Sequence, residues 1–363
     1  MGIIFPMLLS LILKGSAIII HSPGFWKALK SKLRMFKFLL AMAVPVSSPP
    51  SNLLIKLSQR LFDAEAQQSA FVAALTTPQV FPQAILWMRP RPEVVPFALA
   101  PALPWQSATI DRLQPDQRPG QHPLHSAGSY YCLDMASVFS AAVFSAIPSP
   151  VGLVLDLCAA PGGKSLLAWQ HLQPKALWCN EVIRKRVRIL IANLKRCGLW
   201  DALVFNLDPK AWAEHLPQAA SVVIVDAPCS GQSLLAKGDT ALGCFHPVTI
   251  KKNASRQKRI LGQAAQTVAG GGYVAYMTCT FSSEENEQVG AWLLKQFPQF
   301  EAVAVPSLAD YASPLADFPC YRLWPQSGLG AGGFTALFRN RDAQMNPTTL
   351  PESLSTQALR LYS

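Results

Sequence analysis

Charge is scarce in this chain of 363 residues. Asp, Glu, Lys and Arg make up 15% of it and hydrophobic residues 50%, which excludes a disordered chain held open by its own charge. Acids are the scarcer sign, 21 against 32 Lys and Arg, for a net charge of +11. That excess favours a polyanionic partner, nucleic acid before a membrane surface, although composition alone leaves an ordinary basic protein equally open. The 8 cysteines include no C-x-x-C pair, so neither a zinc knuckle nor a dithiol redox motif is present, and no metal is expected. Their scatter suggests no secreted disulfide framework, and a reducing, cytoplasmic setting is the simpler reading. Internal repeats are absent. So are the phosphate loop G-x-x-x-x-G-K-[ST] and the dinucleotide fingerprint G-x-G-x-x-G.

What is present divides into four stretches. Residues 1–47 begin almost wholly apolar to Ile20, broken by Pro6 and Lys14, and continue with Lys27, Lys30, Lys32, Arg34 and Lys37. The charge follows the apolar run, the reverse of a secretory signal. A membrane anchor and an over-extended start, with Met35 or Met42 as the true first residue, both stay open; a membrane is not the expected partner. Residues 48–125 read as a small α+β domain: helical spacing over Asn52 to Leu75, then Pro-rich sequence with short strands at Ala84 to Met88 and Val94 to Leu99. Its Arg89, Arg91, Arg112 and Arg118, with Trp87 and Trp105, are candidates to face RNA, although core tryptophans and solvated arginines are the favoured reading of each. Residues 126–341 open with a helix expected over Tyr130 to Ile147. Strand-like runs then alternate with helical ones: Gly152 to Cys158, Ala176 to Asn180, Ala202 to Asn206, Ser221 to Asp226, Gly272 to Cys279, Phe300 to Val305 and Phe334 to Phe338. Alternation of this kind builds a mostly parallel, doubly wound sheet. Residues 342–363 are a tail.

In such a sheet, ligands sit beyond the carboxyl ends of the strands. Several strand ends carry chemistry. Asp156-Leu157-Cys158-Ala159-Ala160-Pro161-Gly162-Gly163-Lys164-Ser165 leaves the first strand and opens a helix, and its small residues and free amides admit a ligand close to the backbone. Glu181 ends the second strand at the offset where an acid reads ribose hydroxyls, and Asp208 follows the third. For Asp208 a turn before Pro209 is an equal reading. With Asp226, these acids and the glycine turn describe a nucleoside pocket without a pyrophosphate clamp, which favours S-adenosyl-L-methionine over a dinucleotide. Two further strands end in cysteine motifs, Asp226-Ala227-Pro228-Cys229-Ser230-Gly231 and Met277-Thr278-Cys279-Thr280. A lone cysteine is usually a small buried hydrophobe; two thiols and a carboxylate on one lip are not explained that way.

These motifs, with Glu284-Glu285-Asn286-Glu287, Arg322-Leu323-Trp324-Pro325-Gln326 and Gly332-Gly333-Phe334, resemble those of the Sun family of RNA cytosine carbon-5 methyltransferases over about 130–340. The resemblance implies a Rossmann-like class I methyltransferase fold with a seven-stranded, mostly parallel sheet whose last strand is antiparallel. It implies a monomer acting on rRNA or tRNA, with 48–125 positioning the RNA. It assigns Cys279 as nucleophile, Cys229 as the release residue, and Asp226 and Lys164 as contacts to the base. Cys158, Ala159, Ala160, Pro161, Gly162, Gly163, Lys164, Glu181, Asp208 and Asp226 are assigned to S-adenosyl-L-methionine. The chain departs from the family where Met88-Arg89-Pro90-Arg91 replaces an Arg-x-Asn signature and Gln326 replaces a histidine, which bears on the choice of RNA. Further basic residues, Lys251, Lys252, Arg256 and Arg259 on one helix and Arg184, Lys185 and Arg188 on another, are candidates to meet phosphates.

Carbon 5 of cytosine is a poor nucleophile, and a thiolate added at carbon 6 makes it enamine-like. That chemistry gives one thiol its task, and the other can assist release. An exocyclic-amine methyltransferase would instead want Asn/Asp-Pro-Pro-aromatic where Asp226-Ala227-Pro228-Cys229 stands. A non-catalytic RNA-binding or membrane-tethered protein would have no use for Cys279 and Lys164.

Overall fold

The computed structural model describes residues 50–343 and 351–361; the extension expected over 1–47 lies outside them, as does part of the expected tail. The described chain begins with two helices, α1 (Asn52–Leu61) and α2 (Glu65–Thr76). Ser51 starts α1 by accepting a hydrogen bond from the Leu54 amide at 3.2 Å, and Leu54, Leu57, Ser58 and Leu61 form its buried stripe. A small antiparallel sheet follows, made of β1 (Gln83–Trp87), β2 (Ile110–Arg112) and, after the one-turn helix α3 (Pro123–Ser126), β3 (Tyr130–Asp134), in the order β2-β1-β3.

Two local expectations fail here. The stretch Tyr130 to Ile147 does not start as a helix. Tyr130-Tyr131-Cys132-Leu133-Asp134 pairs along all of β1, and the helix α4 (Met135–Ala141) starts only where the Asp134 side chain accepts the Ala136 amide at 2.7 Å. Bulky residues with strand partners on hand outweigh the apolar spacing that suggested a helix. Val94 to Leu99 forms no strand, and only Leu99 bridges, to Leu113.

From Leu153 onward strands and helices alternate: β4 (Leu153–Asp156), α5 (Gly163–Leu172), β5 (Ala176–Asn180), α6 (Arg184–Arg196), β6 (Leu203–Phe205), α7 (Pro209–His215), β7 (Ala220–Asp226), α8 (Pro247–Thr267) and β8 (Val268–Thr278). Then come α9 (Glu287–Gln296), β9 (Phe300–Ala302), β10 (Tyr321–Leu323), β11 (Gly333–Asn340), α10 (Glu352–Ser355) and β12 (Leu359–Arg360). The five strands β6-β5-β4-β7-β8 run parallel, and β11 lies antiparallel against β8. Each of the seven runs expected as strands is in this sheet, and the short β10 and β12 bring it to nine.

Burial alternates along the strands with period 2. Val154, Val222, Ile224, Ala275 and Met277 enter the core that holds Leu167 of α5 and Leu190 of α6. Leu153, Leu155, Val223, Val225, Val274 and Tyr276 enter the opposite core, with Trp212 of α7, Leu261 of α8 and Leu293 of α9. The sheet is therefore covered on both faces, which explains why its strands read as continuous apolar runs. Ala84, Leu86 and Ile110 of the small sheet join the first of these cores. Helices α1 and α2 pack against Phe281 and Ala331, and Trp324 caps that cluster. Among the described residues no helix is long and apolar enough to cross a membrane.

Candidate active site

The parallel strands end on one lip, and the cysteine motifs leave adjacent strands, β7 and β8, whose register places Asp226 beside Met277. Cys229 and Cys279 lie just past the strand ends, and their sulfurs are 2.9 Å apart as free thiols. Cys279 is exposed and Cys229 half-buried. The contact splits their acidities. The Cys279 thiol is pushed below its usual value, first by the hydrogen bond from Cys229, with help from the Lys164 cation, against burial and the Asp226 charge. Cys229 is pushed well above the usual value, first by the same hydrogen bond, then by burial and by the charges of Cys279 and Glu285. One sulfur is thus disposed to be the thiolate and the other to keep its proton.

The loops carrying these thiols are tied together from beneath by Glu285, which is fully buried. Its Oε1 accepts from the Ser230 amide at 2.9 Å and from Gln257 Nε2 at 3.0 Å. Its Oε2 accepts from the Ser230 hydroxyl at 2.6 Å and from Ser282 at 2.9 Å. Gln257 also donates to the Pro228 carbonyl at 3.1 Å. Asn286 bonds both Thr278 and the Thr280 carbonyl, on either side of Cys279. Glu287 pairs in the interior with Arg322, two contacts of 2.6 Å, and Arg322 also holds the Phe281 carbonyl at 3.0 Å. A buried carboxylate surrounded by donors, and a forked Arg–carboxylate pair, are among the stronger polar arrangements available to a protein. Consecutive residues Glu285, Asn286 and Glu287 therefore fix the position of Cys279 and, through Ser230, that of Cys229.

Lys164 and Asp226 face each other across the lip at 3.3 Å. Lys164 sits in the first turn of α5, which Gly162 opens at φ +116, a backbone conformation few side chains tolerate. Gly163 is small for another reason: a Cβ there would come within 3.1 Å of Leu133 on β3. Asp156, below the turn, accepts from Ser165 at 2.7 Å and from the Cys158 amide, and burial raises its carboxyl to about 7 against that help. The Ala159 amide is held by the Asn180 carbonyl at 2.9 Å. Glu181 is 2% exposed, and its Oε1 accepts from the Ile183 amide at 2.8 Å. Its Oε2 has an Arg186 guanidinium nitrogen at 3.2 Å but no aligned hydrogen bond. A buried carboxylate oxygen with acceptor capacity left beside a glycine turn suits the hydroxyls of a ribose. The residues present thus fit a nucleoside-bearing cofactor.

Comparison with known proteins agrees with this arrangement. The sequence model of the family described as "16S rRNA methyltransferase RsmB/F" matches residues 146–339, more than half of the chain. The chain belongs to the RsmB/F family. Among curated relatives, "Ribosomal RNA small subunit methyltransferase F" of Cronobacter sakazakii is 31% identical over 271 residues, 71% of this chain and 55% of the relative. The protein of the same name from Klebsiella pneumoniae is 33% identical over 258 residues, 69% of this chain and 53% of the relative. The chain thus spans about half the length of the curated relatives it matches. Among solved structures, a methyltransferase homologue from Pyrococcus horikoshii superposes with a TM-score of 0.61 at 20% identity, covering 80% of this chain and 99% of that one. NSun6 from Pyrococcus horikoshii, solved with SFG, superposes with a TM-score of 0.63 at 18% identity, covering 80% and 98%. These likenesses establish the Rossmann-like class I fold, and the family is one of S-adenosyl-L-methionine-dependent methyltransferases.

Within this RsmB/F chain the remaining candidates separate. Asp208 is exposed and caps α7, its Oδ1 accepting the Lys210 amide at 3.0 Å, so the turn-forming reading holds, and its Oδ2 faces Arg259. Trp87 and Trp105 are core residues. Arg91 is paired with Asp111 at 2.8 Å, which also accepts from Trp87. Arg256 bonds Asn253 on its own helix, and Arg259 reaches toward Asp208 at 3.8 Å. Sequence reading missed Arg186 and Asn193 of α6, which hold the Ala160 and Pro161 carbonyls of the glycine turn. It also missed Gln257. No spacing rule flags such residues, because their partners lie on other elements.

Proposed function

We propose that this protein transfers a methyl group from S-adenosyl-L-methionine to carbon 5 of a cytosine in RNA, through a covalent cysteine adduct. The carrying observation is the 2.9 Å contact between Cys229 and Cys279, with opposite displacement of their acidities. The names of the matched relatives put small-subunit rRNA ahead of tRNA. Bound S-adenosyl-L-methionine supplies an electrophilic methyl group. Glu181 holds the ribose, the Cys158 to Gly163 turn lies along the cofactor, and Asp208 takes the adenine amine.

The Cys279 thiolate adds to carbon 6 of the base, and the electron pair of the 5,6 double bond becomes available at carbon 5 for methylation. Negative charge reaching the ring is met at its edge by the Lys164 cation, while the Asp226 carboxylate beside it accepts from the exocyclic amine of the base. The carbon-5 proton then passes to water at the open lip, its bonding pair restores the double bond, and the carbon–sulfur bond breaks. Cys229 assists by keeping its proton and donating an S–H hydrogen bond to the departing Cys279 thiolate. The residues 48–125 position the RNA, the setting is cytoplasmic, and a single copy of the chain suffices for every role named.

The test is adduct trapping on RNA with the two single variants. Cys279→Ala abolishes methylation and gives no adduct. Cys229→Ala methylates once and stays attached to RNA through denaturing electrophoresis, until RNase reduces it to a small residual mass. An adduct in Cys279→Ala and none in Cys229→Ala reverses the roles. Intact methylation in both, with no adduct, removes covalent catalysis.

A further inference from the structure

A groove of about 870 Å³ runs between α1 and α8, away from the glycine turn, and its size is that of a ligand cleft. One wall carries Lys56 and Arg60 of α1, and the other Lys251 and Lys258 of α8. Each pair faces the groove because its members are four or seven residues apart on a helix. Arg60 is paired with Glu284 at 2.7 Å, whereas Lys56, Lys251 and Lys258 form no ion pair among the described residues. Phe245, half-buried, stands in the lining. The groove is tied to the thiol loops through its walls: α8 also carries Gln257, which holds the Pro228 carbonyl next to Cys229, and Glu284 precedes the Glu285 that anchors both cysteine loops.

We propose that this groove binds the backbone of a single-stranded RNA segment adjoining the target base, with Lys56, Lys251 and Lys258 on its phosphates and Phe245 offering a face for a base. The inference rests on the RNA reading given above and adds where the strand lies. Unpaired cations on both walls and an aromatic between them are the chemistry of single-strand binding. Under this proposal the phosphate contacts differ from those expected from the sequence. Lys251 lines the groove, Arg256 and Arg259 are engaged elsewhere, and Lys258, passed over in the sequence, takes their place.

The experiment measures binding of a fluorescein-labelled 16-nucleotide single-stranded RNA with one central cytidine, by anisotropy across a salt series, for the full chain and Lys56→Ala/Lys258→Ala. Both positions are on helices, where alanine is well tolerated. The double variant is expected to bind roughly tenfold or more weakly, with the slope of log affinity on log salt reduced by about 1.4, since each phosphate contact on a single strand contributes about 0.7. The loss is the same for RNAs of different sequence, and S-adenosyl-L-methionine affinity is unchanged. RNA carrying 4-thiouridine next to the cytidine crosslinks to peptides of α1 and α8. Unchanged RNA affinity and salt slope, with adduct trapping by Cys229→Ala still present, overturns the groove alone and leaves it to an acidic protein surface. Absence of both RNA binding and adduct in the parent chain overturns the RNA reading and the groove with it.

Discussion

The two halves of the lip differ in how their polar groups are committed. On the β7–β8 side the carboxylates and amide next to the thiol loops are used within the protein, although Gln257 Oε1 and Glu284 Oε2 have no hydrogen bond: Glu285 takes Ser230, Ser282 and Gln257, Asn286 takes both sides of Cys279, and Glu287 takes Arg322. On the β4–β6 side capacity is left over: Glu181 keeps an oxygen without a hydrogen bond, and Asp208 is exposed beyond its cap. Under the proposed reaction, the difference follows from what each half has to do. A nucleophile and its proton-donating partner must be held to a fraction of an ångström. A cofactor pocket must keep its bonds for the cofactor.

That contrast can be broken from either side, and the largest effect is expected on the bonded one. Arg322→Met leaves Glu287 charged and unpaired in the interior and is expected to cost about 3–5 kcal/mol of stability in urea unfolding. Restoring an apolar pair with Glu287→Leu should regain most of it; a loss below 1 kcal/mol for the single change means the pair is not holding the site. Glu285→Gln keeps the shape but turns one acceptor into a donor. A loss of about 1–3 kcal/mol is expected, together with a fall in kcat at unchanged cofactor KM. A pure KM effect would place Glu285 in the cofactor half.

On the cofactor side, Glu181→Ala should weaken S-adenosyl-L-methionine binding by roughly 1–3 kcal/mol in calorimetry while leaving Cys279 reactivity toward an alkylating agent unchanged. Asp208→Ala should cost about 1 kcal/mol through the lost helix cap, and any further loss of cofactor affinity measures its adenine contact. The smallest effect is a shift in pH dependence. Cys279 reacts as thiolate, so its alkylation rate rises with pH through its lowered pKa. Removing the Cys229 donor in Cys229→Ala moves that limb to higher pH, toward the usual thiol value of 9.0. An unmoved limb would assign the lowering to Lys164 and Ser233.

Much of this was legible before any coordinates. The apolar runs from residue 152 onward marked the seven strands they become, because a strand buried on both faces has few polar positions to confuse the reading. Where alternation and helical spacing overlapped, at Tyr130 to Ile147, the reading failed, since the β1 partner that decides β3 lies more than forty residues away. The thiols, Asp226 and Glu181 were legible from their place at or just past strand ends, and Lys164 from the family resemblance.

By itself, then, the sequence determined the doubly wound class, the lip and the chemical identity of the groups on it, because these depend on periodicity and on residue type at strand ends. Only the tertiary structure decided which thiol carries the lowered acidity. That depends on a 2.9 Å contact between residues fifty positions apart, and on Lys164 of α5 converging with Asp226 at the end of β7. It also decided that Glu285 to Glu287 serve as anchors rather than as an acidic surface. Their donors come from the loop after β7, from α8 and from β10, and no local pattern encodes a meeting of elements so far apart in the chain.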